Sequence, residues 1–234
     1  SFGRRAMKTT MTGAGLLAGA LLLGGGAAQA GLTDYTAGGV NLVFDNDYGT
    51  TGLTWLKNAN LADTVDFGVL GIEPDGKMSW AVAQSWITAM NAANYAGTNG
   101  WRLWSALNSN GTGPCGPAFN CTGSELGHLF YTEGGLSQNQ SITTSATLNL
   151  HFTNMQSSVY WSSTQLSNPL YAWYFDTDGG RQTNDLKGYQ FLGWAVRPGQ
   201  VAAAPLPATG LLMALGLLAL GATRRARRAT LVIR

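Results

Sequence analysis

Two apolar segments, one towards each end of the 234-residue chain, most constrain its fold, because neither can form the water-exposed surface of a globular domain. The first follows Lys8 and leads to small residues at 28–30 (AQA). A charged start, an apolar stretch and a small-x-small site are typical of a secretory signal peptide. We therefore predict that residues 1–30 comprise upstream residues before Met7 and a signal peptide cleaved before Gly31. A retained anchor is the alternative, disfavoured because the stretch is short and glycine-rich.

The second apolar segment, at 211–222, lies between a proline motif and a cluster of arginines. Its twelve residues reach only about 18 Å as a helix, short of the roughly 30 Å hydrocarbon core. Arginines after such a segment are held on the cytoplasmic side of a membrane. We predict that 201–234 is a membrane-held sorting signal. Its motif residues are Pro205, Leu206, Pro207, Ala208, Thr209 and Gly210, and Arg224 and Arg225 begin the cluster.

This tripartite tail resembles sorting signals of the PEP-CTERM type, in particular the VPLPA variant, through PLPATG at 205–210. The resemblance implies processing by an exosortase, a transient anchor and a location at the cell surface or in the extracellular matrix. The same residues also fit the LPxTG pattern of sortase substrates. About eight residues, from Pro198 to Pro205, precede Leu206 and extend to only about 28 Å, too short to cross a thick wall. A plain C-terminal anchor is the third interpretation.

The charge of the chain is distributed unevenly. Six basic and all twelve acidic residues lie between residues 31 and 208, so the middle has a net charge of −6, although the whole chain is +2. Nucleic-acid binding requires a basic face that replaces phosphate counterions. We therefore expect no nucleic-acid partner.

The middle of the chain has the patterns of an α+β domain. Alternation predicts a strand at 39–44, and the turn cluster at 45–49 leads to a second strand at Leu53–Leu56. The last third of the middle has strand patterns at 158–163, Tyr171–Asp176 and 191–197. Helical spacing at 79–94, with Ser79 as the cap, predicts a first helix. A capping-box pattern at 122–125 (TGSE) predicts a second helix that ends at Gly134-Gly135. Asp178-Gly179-Gly180 predicts a hairpin turn within a late antiparallel meander.

An ordered set of motifs resembles the domain family typified by the C-terminal domain of the Lcl collagen-like adhesin. The motifs are TGLTWLKNANL (51–61), MSWAVAQSWITAMNAANYAG (78–97), NGWRL (99–103), SELGHLFY (124–131), SSVYWSST (157–164), AWYFDTDGG (172–180) and GWAVRPG (193–199). The resemblance covers about residues 41–199 and implies a C-type-lectin-like domain at 31–200, with a binding role by analogy. The family usually has proline after WRL, where this chain has Trp104, so the resemblance gives no expectation for the following loop.

Cys115 and Cys121 are the only cysteines and enclose a glycine- and proline-rich loop. In an oxidising compartment such a pair is expected to form a disulfide. The alternative is reactive thiol chemistry, because a formylglycine-generating enzyme shares the lectin-like fold and uses cysteines. No basic residue nearby would lower a thiol pKa, which favours the disulfide.

Metal ligands are sparse in the sequence. His128 and His151 are the only histidines, and neither has a ligand at metal spacing along the chain, so we expect structural roles for both. Asp176 and Asp178 are weak Ca²⁺ candidates, as are the residues at 45–47 (DND), but turns need the same side chains. We expect no cofactor, with calcium as the one metal to test.

The aromatic residues of the late strands are the most suggestive binding feature. Tyr160, Trp161, Trp173, Tyr174 and Trp194 alternate between strand faces, so about half are expected in the core and the rest on an outward stacking platform for sugar rings. We take Trp161, Trp173 and Tyr174 as candidates, with Arg181 and Lys187 as contacts to an acidic glycan. The net charge of −6 disfavours a strong polyanion site. Arg197 is expected to be buried against a carboxylate.

These features lead to three hypotheses. The first is an exported, surface-associated or matrix protein, without enzymatic activity, whose lectin-like domain binds polysaccharide. The second is a structural matrix protein without a small ligand. The third is an enzyme on a formylglycine-generating-enzyme-like fold, which would require free thiols at Cys115 and Cys121.

Overall fold

A computed structural model describes residues 31–202 of the chain. The predicted signal peptide and the predicted sorting signal, including its proline motif and arginine cluster, lie outside the described residues. Within residues 31–202, none of the helices combines the length and apolar character needed to cross a membrane.

Helices and antiparallel sheets combine in this structure, which confirms the α+β prediction. The strands are β1 (Leu32–Ala37), β2 (Val40–Asp45), β3 (Leu53–Leu56), β4 (Arg102–Leu103), β5 (Val159–Gln165), β6 (Tyr171–Asp176), β7 (Arg181–Leu186), β8 (Leu192–Gly193) and β9 (Ala195–Pro198). The α-helices are α1 (Trp80–Ala92), α2 (Glu125–His128) and α3 (Ala146–His151).

The first sheet joins the two ends of the described chain in the order β1-β2-β3-β9-β4. All of its pairs are antiparallel, and Leu53 of β3 pairs with Pro198 of β9. Because β3 pairs directly with the last strand, the chain between them is a long excursion from the first sheet, interrupted by β4, which pairs with β9. Within that excursion lie the helices and the second sheet.

The second sheet has the order β7-β6-β5-β8 and contains the predicted meander. Strands β5, β6 and β7 are antiparallel, and residues 177–180 with Gly180 at φ +81° form the predicted hairpin turn. Strand β8 adds to β5 in parallel. The predicted strand at 191–197 is thus wrong as one element, because Trp194 separates β8 in the second sheet from β9 in the first.

Both predicted helices are present, with one correction to a cap. The Ser79 side chain accepts a hydrogen bond from the Val82 amide and begins α1, as predicted. The second helix is capped by Ser124 rather than Thr122, because Ser124 Oγ accepts from the Gly127 amide. It continues as a π-helical turn, Leu129–Glu133, and reaches Gly134 as predicted. The short helix α3 was not predicted.

Indole and phenyl rings fill the space between the two sheets. Trp194 is fully buried, donates Nε1–H to the Leu56 carbonyl at 2.9 Å, and packs edge-on against Trp55 and Phe152. Trp104, which follows Arg102-Leu103, is also fully buried, and its ring packs against Phe175 of β6. The two sheets therefore share one aromatic core.

Candidate functional site

One face of the second sheet presents partly exposed aromatic rings. The Phe191 ring lies 5.0 Å from the Tyr174 ring and 6.0 Å from the Tyr189 ring, with centroids as reference points. The Phe191 and Tyr189 rings are almost parallel, at 6°, and Tyr189 is 51% exposed. We call Tyr174, Tyr189 and Phe191 the outer aromatic face. Trp161 lies beneath it, 4.4 Å from Phe191.

Polar side chains surround Tyr174 because of the register of β6 with β7. Thr183 is directly opposite Tyr174, and Asp176 pairs with Arg181 next to it. Burial raises the pKa of the Tyr174 hydroxyl, Asp185 and Asp176 raise it further, and Arg181 opposes them. Tyr174 therefore keeps its proton at neutral pH and can donate a hydrogen bond. Ring, hydroxyl, carboxylate and guanidinium groups are thus close together.

Lys187 lies at the boundary of the outer aromatic face with α1. Its Nζ is 4.1 Å from the centroid of the Trp80 ring, a cation–π contact, and donates to Gln165 Oε1 at 2.6 Å. The Trp80 amide also donates to the Lys187 carbonyl at 3.0 Å. Burial lowers the pKa of Lys187. These contacts therefore fix the position of the Lys187 side chain.

Two of the five sequence candidates lie in the core. Trp161 is fully buried and donates Nε1–H to the Met78 carbonyl at 3.0 Å, and Trp173 is only 6% exposed. The expectation that both belong to an outward platform is wrong. Trp161 does share the face of Tyr174, but the segment before β8 covers it, and Trp173 shares the inner face with Phe175. Tyr174, Arg181 and Lys187 remain accessible in part.

Sequence reasoning missed Tyr189, Phe191 and Asp185 as members of this surface. Tyr189 and Phe191 lie two residues apart in the short connection between β7 and β8. Two aromatic residues in a connection that also contains glycine and glutamine could have indicated a surface aromatic pair. Asp185 belongs to β7, whose polar sequence RQTNDL did not predict a strand.

A concave surface adjoins the outer aromatic face. A cavity of about 500 Å³ is lined by residues 62–67 and by Ile72, Glu73 and Pro74. Met78 pairs with Ile72 on one side and with Phe191 on the other. Met78 therefore connects Ile72, which lines the cavity, to Phe191 of the outer aromatic face.

The cysteine prediction is confirmed. Cys115 and Cys121 are joined as a disulfide with a Cα–Cα distance of 5.7 Å, and no cysteine within residues 31–202 is free. The Ala118 backbone inside this loop pairs with Gln182 of β7. The disulfide therefore holds the loop against the second sheet.

The weak calcium candidates serve the hairpin turn. Asp176 Oδ1 accepts from the Asp178 amide at 2.9 Å, and the Asp178 carboxylate accepts from the Ser157 hydroxyl. The preferred turn interpretation is therefore confirmed for Asp176. Asp45 also has a turn contact, since its Oδ1 accepts from the Tyr48 amide at 3.2 Å.

His128 has neighbours that its sequence spacing did not predict. Its Nε2 lies 3.1 Å from Asp47 Oδ1, 3.6 Å from Asp45 Oδ2 and 3.6 Å from Glu133 Oε1. Burial raises the pKa of Asp45 to about 6, although the nearby His128 imidazole opposes the rise. Burial alone would lower the pKa of His128, but the surrounding carboxylates raise it to about 10. A structural role was expected for His128, and spacing along the chain gave no sign of these carboxylate neighbours.

The other two structural predictions have different outcomes. His151 has one carboxylate neighbour, Asp34, at 2.8 Å from its Nδ1. Arg197 was expected to pair with a carboxylate. Among the described residues it forms no such pair. It is half-buried, and its Nη1 donates to Thr98 Oγ1 at 2.8 Å. The register of β9 places Arg197 opposite Thr54 of β3, and its buried Nε has no hydrogen-bond partner.

Comparison with known proteins finds no matching family model, no similar curated protein and no similar solved structure.

Proposed function

We propose that this chain is an exported, surface-associated or matrix protein, without enzymatic activity, whose lectin-like domain binds a neutral polysaccharide. The observation that carries this proposal is the outer aromatic face with the polar side chains beside it. Sugar rings have apolar faces that stack on aromatic rings and hydroxyl groups that hydrogen-bond at their edges. Tyr174, Tyr189 and Phe191 supply the rings, and Asp185 and Arg181 supply hydrogen-bonding groups.

The charge of the domain selects a neutral rather than a polyanionic ligand. Between residues 31 and 208 acidic groups outnumber basic ones by six, and the closest carboxylates to Tyr174 belong to Asp176 and Asp185. Sulfated or uronic chains would be repelled by this field. The two basic groups near the outer aromatic face do not form a cluster, because Arg181 is the register partner of Asp176 and Lys187 lies over the Trp80 ring.

The proposed location and fold rest on the sequence. The signal-like start and the PLPATG tail support export and exosortase-type sorting, with the tail as a transient membrane anchor. The Cys115–Cys121 disulfide suits an oxidising compartment, and it supports a non-enzymatic role because a thiol enzyme needs a free thiolate. We retain the C-type-lectin-like fold from the family resemblance, and the mixed helix and sheet content is compatible with it.

Retention on immobilised polysaccharides tests this function. The full chain, purified without reductant, is passed over dextran, mannan, cellulose and heparin supports. We expect retention on at least one neutral support and none on heparin at physiological salt. The matched variants are Tyr189→Ala in the outer aromatic face and Leu150→Ala, which removes a 77% exposed side chain from α3. Retention on heparin alone, or equal loss by both variants, would contradict the proposal.

A further inference from the structure

We propose that Asp45, Asp47, His128 and Glu133 bind a divalent transition-metal ion. These residues offer three carboxylates and one imidazole, and one ligand atom from each lies within 4.8 Å of all the others. This is a site separate from the outer aromatic face, and it does not depend on the proposed polysaccharide function.

The distances fit ligands around a common ion. Two ligand atoms that are each about 2.1 Å from a metal lie about 3.0 to 3.4 Å apart in tetrahedral or adjacent octahedral positions. The distances from His128 Nε2 to its three carboxylate partners are 3.1 and twice 3.6 Å. Small side-chain shifts, together with release of the His128 proton to solvent, are therefore sufficient for coordination.

One buried carboxylate oxygen gives independent support for a cation at this cluster. Asp45 is fully buried, and its Oδ2 accepts no hydrogen bond. This atom is directed into the cluster, 3.6 Å from His128 Nε2. A buried carboxylate oxygen that accepts no hydrogen bond is costly, and a cation within the cluster would satisfy it. The Glu133 and His128 side chains are also largely buried, at 9% and 13% exposure, whereas Asp47 is 35% exposed and provides an entry path.

The donor set selects the class of metal. Carboxylates alone favour Ca²⁺ or Mg²⁺, whereas imidazole favours transition metals. Three carboxylates with one imidazole suit Mn²⁺ or Zn²⁺. The bound ion would join the end of β2, with Asp45 and Asp47, to the second helix and its π-helical turn, with His128 and Glu133.

Titration calorimetry on the chelator-stripped full chain tests the site with ZnCl₂, MnCl₂, CaCl₂ and MgCl₂ as probes. We expect one equivalent of Zn²⁺ or Mn²⁺ per chain, with a Kd tighter than about 100 µM. His128→Gln and Asp47→Asn should each weaken binding at least tenfold. The control His151→Gln removes the other histidine, which has one carboxylate neighbour, and should leave the affinity unchanged.

A second measurement avoids variants that do not fold. In the wild-type chain, substoichiometric Mn²⁺ should broaden the ring NMR signals of His128 and leave those of His151 sharp. No saturable binding of Zn²⁺ or Mn²⁺, affinity that is unchanged in His128→Gln, or equal broadening of both histidines would overturn the proposal. Tighter binding of Ca²⁺ than of either transition metal would overturn the metal class.

Discussion

Arg102 and Glu125 form a bidentate ion pair that joins the first sheet to the second helix. Arg102 Nη1 lies 2.7 Å from Glu125 Oε2, and Nη2 lies 2.5 Å from Oε1. The Glu125 side chain is only 5% exposed and also accepts from the Ser105 amide at 2.6 Å. Burial alone would lower the pKa of Arg102, but Glu125 raises it. This carboxylate therefore satisfies a cation and a backbone donor at the start of α2.

Removal of Glu125 should destabilise the domain strongly. Glu125→Ala leaves the Arg102 charge and the Ser105 amide without their partner, so we expect a loss of about 3 kcal/mol in the free energy of unfolding. Urea unfolding measured by tryptophan fluorescence checks this. Asp75→Ala, which breaks the exposed pair with Lys77, is the control and should change stability by less than about 1 kcal/mol. Equal effects would show that the Glu125 pair contributes no more than a surface pair.

Trp194 should be the most sensitive position of the shared core. Trp194→Ala removes ring contacts with Trp55, Phe152 and Tyr160 and should cost about 3 to 5 kcal/mol. Trp194→Phe keeps an aromatic ring but leaves the Leu56 carbonyl without the indole donor, so its cost should be smaller. Thermal unfolding with near-UV circular dichroism provides the measurement. If Trp194→Phe is as destabilising as Trp194→Ala, ring packing is not the main contribution.

The Cys115–Cys121 disulfide should stabilise the domain modestly, by constraining one short loop. A Cys115→Ser, Cys121→Ser double variant should lose about 2 to 3 kcal/mol because the loop it closes is short. The same loss should follow when the wild type is reduced, which can be measured by urea unfolding with and without reductant. Reductant that further destabilises the double variant would contradict this, because the described residues contain no other cysteine.

Acid should weaken the contacts of Asp34. Burial alone would raise its pKa, but hydrogen bonds from Lys57 and His151 lower it. The folded state therefore favours the ionised carboxylate, so the stabilisation is complete above the unfolded pKa of about 4 and is lost as pH falls through the folded pKa. Between pH 5 and pH 2.5, the wild type should lose more unfolding free energy than Asp34→Asn. Parallel losses in both proteins would refute a contribution from this carboxylate.

Local patterns in the sequence predicted several elements correctly. The stripe of Trp80, Ala83, Ile87 and Met90 fixed α1, because helical spacing puts these side chains on one face. The strands β3 and β6 were predicted with their observed bounds. Strand β7 was missed because its residues, RQTNDL, are mostly polar, and pairing with β6 rather than hydrophobic alternation holds it in the sheet.

Contacts between distant segments were not predictable in this way. Asp47 and His128 are 81 residues apart, so no motif spacing brings their side chains together. Alternation predicted that about half of the aromatic side chains lie in the core, but it could not show that Phe191, from a later connection, covers the indole ring of Trp161. The side chains that form a sheet face follow from register, whereas their exposure depends on segments that fold over the sheet.

The most direct test of the central proposal is the binding affinity for the neutral polysaccharide that retains the protein in the column experiment. Calorimetry should give affinities at least fivefold weaker for Tyr174→Ala and Tyr189→Ala than for the wild type, because each loses a stacking ring worth about 1 kcal/mol. Leu150→Ala should bind like the wild type. Wild-type affinity in both tyrosine variants, or no measurable affinity of the wild type for any neutral polysaccharide, would contradict a sugar-binding role for the outer aromatic face.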